Sequence, residues 1–144
     1  MIIEILAAMT GTVAFSLLYG VPRKYYALCG GIGGIGWAVC SLVQTRFSEV
    51  ISVMIATMVV ILLSRIAAVI RRCPATLFLI PGIFPLVPGA RVYWTTYYIV
   101  TDQVWEAAET GFAAIKIAVA IVLGIVFVFE IPQSFFVKIL YKKK

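Results

Sequence analysis

Arg91 is the residue of this sequence best suited to bind an anion, because it follows a stretch that must interrupt a helix. That stretch, residues 79–89, reads LIPGIFPLVPG, and its prolines and glycines are Pro81, Gly82, Pro85, Pro88 and Gly89. Proline removes a backbone donor and clashes with the preceding helical turn, so prolines this close together cannot share one regular helix. A guanidinium offers paired N–H donors that match a carboxylate. The candidate carboxylate site therefore consists of Arg91, Pro88, Gly89, Ala90 and Gly82.

Two further cations, Arg65 and Lys116, also lie inside apolar stretches. Each is within about two helical turns of a charged residue at the end of its stretch, so each can extend toward water. Arg91 has no such route, since residues 92–98 contain no acid and Asp102 lies about 16 Å further along a helix. A charge inside a bilayer costs about 2.5 to 3.5 kcal/mol on insertion scales. Arg91 is therefore the cation most in need of a partner.

The composition indicates an integral membrane protein. Hydrophobic residues make up 63% of the 144 residues and charged residues 12%, and the mean hydropathy is +1.09. These values lie outside the range of soluble domains. We expect the first apolar run to remain as a helix, because it carries Glu4 where a cleavable signal peptide has a basic region. The net charge of +6 is divided among the ends of apolar runs, which argues against a nucleic-acid partner.

We predict an all-α integral membrane protein with five transmembrane helices in one domain, residues 1–144. The spans are expected at about 2–19, 26–44, 50–70, 75–101 and 107–131, with the fourth broken and a cytoplasmic basic tail at 138–144. Basic residues follow the first, third and fifth spans, so the positive-inside rule places the N-terminus outside and the C-terminus in the cytoplasm. Under the same rule the broken stretch crosses the membrane. The alternative is a re-entrant loop, which would leave the basic tail outside.

The stretch GGIGGIG, residues 30–36, contains the GxGxxG spacing of dinucleotide-binding loops. That fingerprint needs a preceding strand and a surrounding βαβ unit, and neither is predicted here. Within a span, Gly30 and Gly34 instead form a face of small residues that lets another helix approach closely. Ala120 and Gly124 give the fifth span a similar face. We expect helix packing, with a ligand-facing backbone as the alternative.

No cofactor or metal site is predicted. The sequence has no histidine, and its cysteines do not form a CxxC pair. Cys29 and Cys40 lie about 16 Å apart along one predicted helix, too far for a disulfide. Without histidine or a paired-aspartate motif, an intramembrane enzyme is the least favoured class of function.

Two groups on the later spans have an ordinary and a functional interpretation. Aromatic side chains share a helical face that is typical of an interfacial belt or of bundle packing, with substrate lining as the alternative: Tyr93, Trp94, Tyr97 and Tyr98. Acidic side chains follow at the end of the same helix and the start of the next, where they form either a solvated rim or a mouth that loads protons: Asp102, Glu106 and Glu109.

The chemistry of transporters offers a reason for the break. Irregular backbone at membrane depth is tolerated where it is buried in protein or lines a wet cavity, and broken helices there direct N-termini at anions. Residues 89–91 would form such an N-terminus. A cation beside the positive end of a helix is unfavourable unless an anion joins them, so Arg91 indicates a carboxylate ligand. The alternative is a structural kink whose backbone groups are satisfied by neighbouring helices.

The sequence PGIFPLVPG, with a basic join before it and an arginine and an aromatic-rich helix after it, resembles the threonine/serine exporter family. Short length and five spans resemble the small subunit of the family's two-subunit form, whose partner is a separate, larger membrane protein. The resemblance implies export of threonine or serine, or of dicarboxylates such as succinate in some two-subunit members. It marks Pro81, Gly82, Pro85, Pro88 and Gly89 as motif positions.

We therefore expect a multi-pass subunit in the plasma membrane of a prokaryote, forming half of an exporter for small carboxylate-bearing metabolites. Its partner would be the larger membrane subunit of the family or a second copy of the chain. The alternative is a structural or assembly subunit that makes no contact with substrate.

Overall fold

The chain is helical throughout the part that the computed structural model describes, residues 1–132. It forms six α-helices: α1 (Ile2–Leu18), α2 (Tyr26–Gln44), α3 (Glu49–Arg71), α4 (Thr76–Ile83), α5 (Gly89–Val100) and α6 (Val104–Phe129). Short 3-10 turns precede α2 at Arg23–Tyr25 and follow α4 at Phe84–Leu86. Within these residues there is no strand, which confirms the all-helical prediction. The basic tail at 138–144 lies outside the described residues.

Three helices are long and apolar enough to cross a membrane: Arg23–Gln44, Glu49–Arg71 and Val104–Phe129. Thr76–Leu86 and α5 together qualify as a fourth span, bent by 52° at the break. The helix α1 is apolar but has only 17 residues, about 25 Å against a hydrocarbon core of about 30 Å. The structure thus provides three or four candidate spans where we predicted five. The predicted first span, about 2–19, agrees with α1 to within one residue, but this helix is too short to count as a span. It ends before Gly20, which has a left-handed φ of 68°. The protein is a multi-pass membrane protein.

Glycine allows α1 and α2 to approach closely. A Cβ atom on Gly33 would overlap Thr12 Oγ1, and one on Gly34 would overlap the Met9 side chain. A Cβ on Gly30 would lie 2.9 Å from a methyl group of Val13 in α1. Side chains at these positions would separate the helices, so the glycine-rich stretch of α2 packs against α1.

The helix α6 runs parallel to α3 and is displaced along it. Gly124 contacts α3 so closely that a Cβ would lie 2.9 Å from the Met54 carbonyl oxygen, and Ala120 is buried nearby. Nearer the start of α6, Ile117 shares a cavity with Glu49, the first residue of α3. The part of α6 before Ile117 therefore extends past the start of α3, where it packs against α5.

The helix α5 is the least enclosed element among the described residues. It turns into α6 through Asp102, which has a φ of 56°, and the Thr95 and Thr110 hydroxyls are 3.1 Å apart across the hairpin. None of its residues is buried. The hairpin of α5 and the first half of α6 consequently leaves most of its apolar surface open to lipid or to another protein.

Candidate functional site

The carbonyl that Pro81 deprives of its helical donor is approached from another helix. In a regular helix the residue at position 81 would donate to the Leu77 carbonyl, four residues earlier. The Cys29 thiol of α2 donates to that oxygen instead, at 3.7 Å. Cys29 is fully buried, so this weak bond forms without competition from water.

The other two prolines are compensated within the break itself. Pro85 cannot donate to the Pro81 carbonyl, and the N–H of Phe84 donates to it. Pro88 cannot donate to the Phe84 carbonyl, and the N–H of Val87 donates to it at 3.2 Å. These bonds tighten the backbone into a 3-10 turn. The three carbonyls that the prolines leave without a helical donor, those of Leu77, Pro81 and Phe84, therefore each have a donor within the described residues.

The amide groups that follow the break are less completely satisfied. The N–H of Gly89 donates to the Val87 carbonyl at 2.8 Å, and the N–H of Val92 donates to the Pro88 carbonyl at 3.1 Å. Between them, the N–H groups of Ala90 and Arg91 have no hydrogen bond within residues 1–132. Free donors in the first turn of a helix carry partial positive charge and favour an anion.

The Arg91 guanidinium forms an ion pair with Glu49, through Nη2 and Oε2. The two side chains are 36% and 38% exposed, so both can be reached from the surface of the protein. Arg91 has no acid nearby in sequence, and its partner comes from another helix, since Glu49 lies 42 residues earlier in the chain. Glu49 begins α3, so the pair lies beside that end of the helix.

A cavity of about 380 Å³ lies beside this ion pair. Its walls come from the ends of α2 and α3, the break, the start of α5 and one residue of α6: Trp37, Cys40, Gln44, Glu49, Val53, residues 85–91 and Ile117. Pro88, Gly89, Ala90 and Arg91 thus line the same cavity as Glu49 and Gln44. The cavity combines an apolar lining with one positive and one negative charge among the described residues.

Gly82 lies outside this cavity, although we expected it to contact substrate. A Cβ on Gly82 would lie 3.1 Å from methyl groups of both Ile32 and Val60. Gly82 therefore lets α4 pack between α2 and α3. These distances are those of close helix packing, and a contact of Gly82 with substrate remains a prediction.

Trp37 adds a donor that the sequence did not single out. Its Nε1 atom is buried and has no hydrogen-bond partner among the described residues. An unpaired buried donor costs about 1 to 3 kcal/mol, so such a group favours an acceptor from a ligand or from water. The sequence did not indicate that the cavity would also be lined by residues away from the proline break, on α2 and α3: Trp37, Gln44 and Glu49. The one available signal was that Glu49 is an acid at the start of an apolar span.

The two other deep cations do not line this cavity. Arg65 is only 7% exposed; it donates to the Val128 carbonyl at 2.6 Å and lies 5.5 Å from the centre of the Phe129 ring. It therefore interacts with the negative end of α6 instead of extending to water as expected. Lys116 is exposed and lies 5.2 Å above the Phe112 ring.

The aromatic residues of α5 also lie apart from the cavity. Their rings form a chain of contacts with centroids 5.5 to 5.9 Å apart: Tyr93, Trp94, Tyr97 and Tyr98. Trp94 remains 47% exposed and Tyr93 64% exposed. The set forms an aromatic surface on α5 and lines none of the site around Arg91.

Comparison with known families supplies one match. The family model described as "Threonine/Serine exporter, ThrE" matches residues 4–131. This range includes the break, every residue that lines the cavity and nearly the whole helical part of the chain. Neither the curated proteins nor the solved structures provide a significant match.

Proposed function

Since the chain belongs to the threonine/serine exporter family, whose members are membrane exporters, we propose that it is a transport subunit that binds the substrate carboxylate at Arg91. The substrate would be threonine, serine or a dicarboxylate such as succinate. The observation that carries this proposal is the ion pair of Arg91 with Glu49 beside a cavity. A carboxylate already occupies the position that the substrate carboxylate would take.

The size and lining of the cavity support a small metabolite. Its volume of about 380 Å³ lies near the lower end of the range for small-molecule sites, about 300 to 1,000 Å³. The free N–H groups of Ala90 and Arg91 can bind a carboxylate together with the guanidinium. Gln44 supplies a further polar group for the remainder of the molecule.

The contacts of the break support a crossing segment rather than a re-entrant loop. Leu77, near the start of α4, contacts Cys29 near the start of α2. Arg91, after the break, contacts Glu49 beyond the opposite end of α2. With basic residues facing the cytoplasm, the cavity would lie toward the outer side of a prokaryotic plasma membrane. This is the side on which an exporter releases its substrate.

A partner is also part of the proposal. Three or four candidate spans are few for a complete alternating-access pathway, and no residue of α5 is buried within the described chain. We infer that the larger membrane subunit, or a second copy of this chain, covers the hairpin of α5 and α6. Half of the translocation pathway would then come from each partner.

The alternative is an assembly subunit without substrate contact. It is favoured by the hydrogen bonds that the protein itself supplies to the carbonyls that the prolines leave without a helical donor. Substrate protection distinguishes the two functions. In the assembled complex lacking native cysteines, Ala90→Cys should react with a small thiol reagent, and L-threonine or succinate should slow that reaction. The control is Val100→Cys, which is 78% exposed and lies away from the cavity. Equal rates at Ala90→Cys with and without either ligand would favour the assembly subunit.

A further inference from the structure

We propose that Glu49 determines the substrate class of this site. In the empty site Glu49 pairs with Arg91, and in the filled site it binds the ammonium group of the substrate while Arg91 binds the carboxylate. The site would then select zwitterionic α-amino acids over dicarboxylates. This inference rests on the proposed function, because it assumes that Arg91 binds the substrate.

The first argument is the arrangement of charge. Arg91 and Glu49 are in direct contact, and each is about one-third exposed, so a small molecule can reach both. An α-amino acid carries its carboxylate and its ammonium group on one carbon atom. Such a molecule can enter between the two side chains and present the opposite charge to each of them. A zwitterion thus replaces one ion pair with two.

A dicarboxylate would gain fewer ion pairs in this site than a zwitterion. It gains one pair at Arg91, but it releases Glu49 without a partner and brings a second carboxylate near it. Like charges at short range are unfavourable, and more so away from bulk water. Among the described residues that line the cavity, Arg91 is the only basic one. The second carboxylate would therefore have no cation to bind there.

The second argument concerns the empty site. Arg91 lies in the first turn of α5, where the positive end of the helix repels a cation. Glu49 offsets that repulsion when no substrate is present. If Glu49 leaves Arg91 only when the substrate carboxylate arrives, the Arg91 guanidinium has an anionic partner both with and without substrate. The alternative is an ion pair that only holds α3 and α5 together. The test must therefore distinguish substrate binding from this structural role.

Transport competition in proteoliposomes provides the test, with L-threonine and succinate as the probes and the complex reconstituted with its partner. Wild-type protein should prefer L-threonine. Glu49→Gln should raise the KM for L-threonine by about ten-fold or more, while succinate transport stays equal or improves. Glu49→Asp should keep the preference for L-threonine. Glu106→Gln, an exposed acid outside the cavity, is the matched control and should change neither substrate.

Several outcomes would overturn this inference. An unchanged threonine-to-succinate ratio in assembled Glu49→Gln is one, and a wild-type preference for succinate is another. The wild-type preference decides the question even where Glu49→Gln does not assemble. The double variant Glu49→Arg with Arg91→Glu exchanges the two charges. It should assemble where a single variant does not, but it should not transport. Recovered transport would indicate that the ion pair has only a structural role. Failure of the proposed function is distinct, because Arg91→Ala would then transport both probes normally.

Discussion

The Cys29 thiol lies 3.7 Å from the Leu77 carbonyl oxygen, the oxygen that Pro81 leaves without a helical donor. One helix thereby supplies a hydrogen bond that a proline removed from its neighbour. Backbone groups without a partner are costly where water is excluded. The contact helps to explain how an apolar segment accommodates a proline inside α4.

Removal of this thiol should lower the stability of the protein. We expect Cys29→Ala to cost on the order of 1 kcal/mol, because the Leu77 carbonyl loses its donor. Cys29→Ser should cost less, since its hydroxyl can donate to the same oxygen. Thermal unfolding of the detergent-purified protein measures both. A serine variant less stable than the alanine variant would argue against a role for the hydrogen bond.

A pair of glycines on α2 tests how closely this helix packs. Gly33→Ala should lower the stability of the folded protein, because the new Cβ would overlap Thr12. Gly31→Ala is the matched control, since nothing lies within 4 Å of its Cβ; it should be neutral or stabilise the helix by about 0.5 to 1 kcal/mol. The yield of folded protein in mild detergent checks the prediction. Equal yields for the two variants would contradict it.

The two motif glycines should also behave differently. Gly82→Ala should reduce assembled protein, because its Cβ would press on Ile32 and Val60 at 3.1 Å. Gly89→Ala should assemble normally, since no atom lies within 4 Å of its Cβ, but it should raise the KM for L-threonine if substrate approaches this backbone. Quantitative blotting of membranes, followed by transport kinetics, measures both effects. Poor assembly of Gly89→Ala would contradict the geometry of the break.

Periodic and local features of the sequence predicted the helical class of the fold but not the number of spans. The apolar runs predicted helices, and the spacing of Gly30 and Gly34 pointed to close contact with another helix, because both features depend on a few neighbouring residues. The bounds of α1 were predicted to within one residue, but its 17 residues are fewer than a membrane-spanning helix needs.

The sequence predicted only some of the residues that line the candidate site, for a physical reason. Arg91 and the break are adjacent in sequence, so their joint chemistry could be recognised. Glu49 contributes its charge from another helix, 42 residues away, and Trp37 contributes an unpaired donor that only packing reveals. The packing of Gly82 against Ile32 and Val60 was not predicted, because a glycine can serve a helix crossing as readily as a binding site.

The orientation of the chain can be tested by labelling single cysteines in a background without Cys29, Cys40 and Cys73. We expect Arg46→Cys and Glu106→Cys to react with an impermeant reagent on intact cells, because acidic joins should face outward. Arg71→Cys should react only after lysis. Labelling of Arg71→Cys on intact cells would reverse the orientation that we propose. Labelling of Glu106→Cys only after lysis would instead favour the re-entrant loop.

Transport by Arg91 variants, at matched levels of assembled complex, tests the central claim most directly. Arg91→Lys keeps the charge but loses the paired donors, so export of L-threonine should fall. Arg91→Ala should fall further, with an apparent affinity about ten-fold to a hundred-fold weaker, since a charge-assisted hydrogen bond contributes roughly 1.5 to 3 kcal/mol. Lys116→Arg, an exposed cation outside the cavity, should transport normally. Normal export by fully assembled Arg91→Ala would contradict the site and leave the broken helix as a packing device.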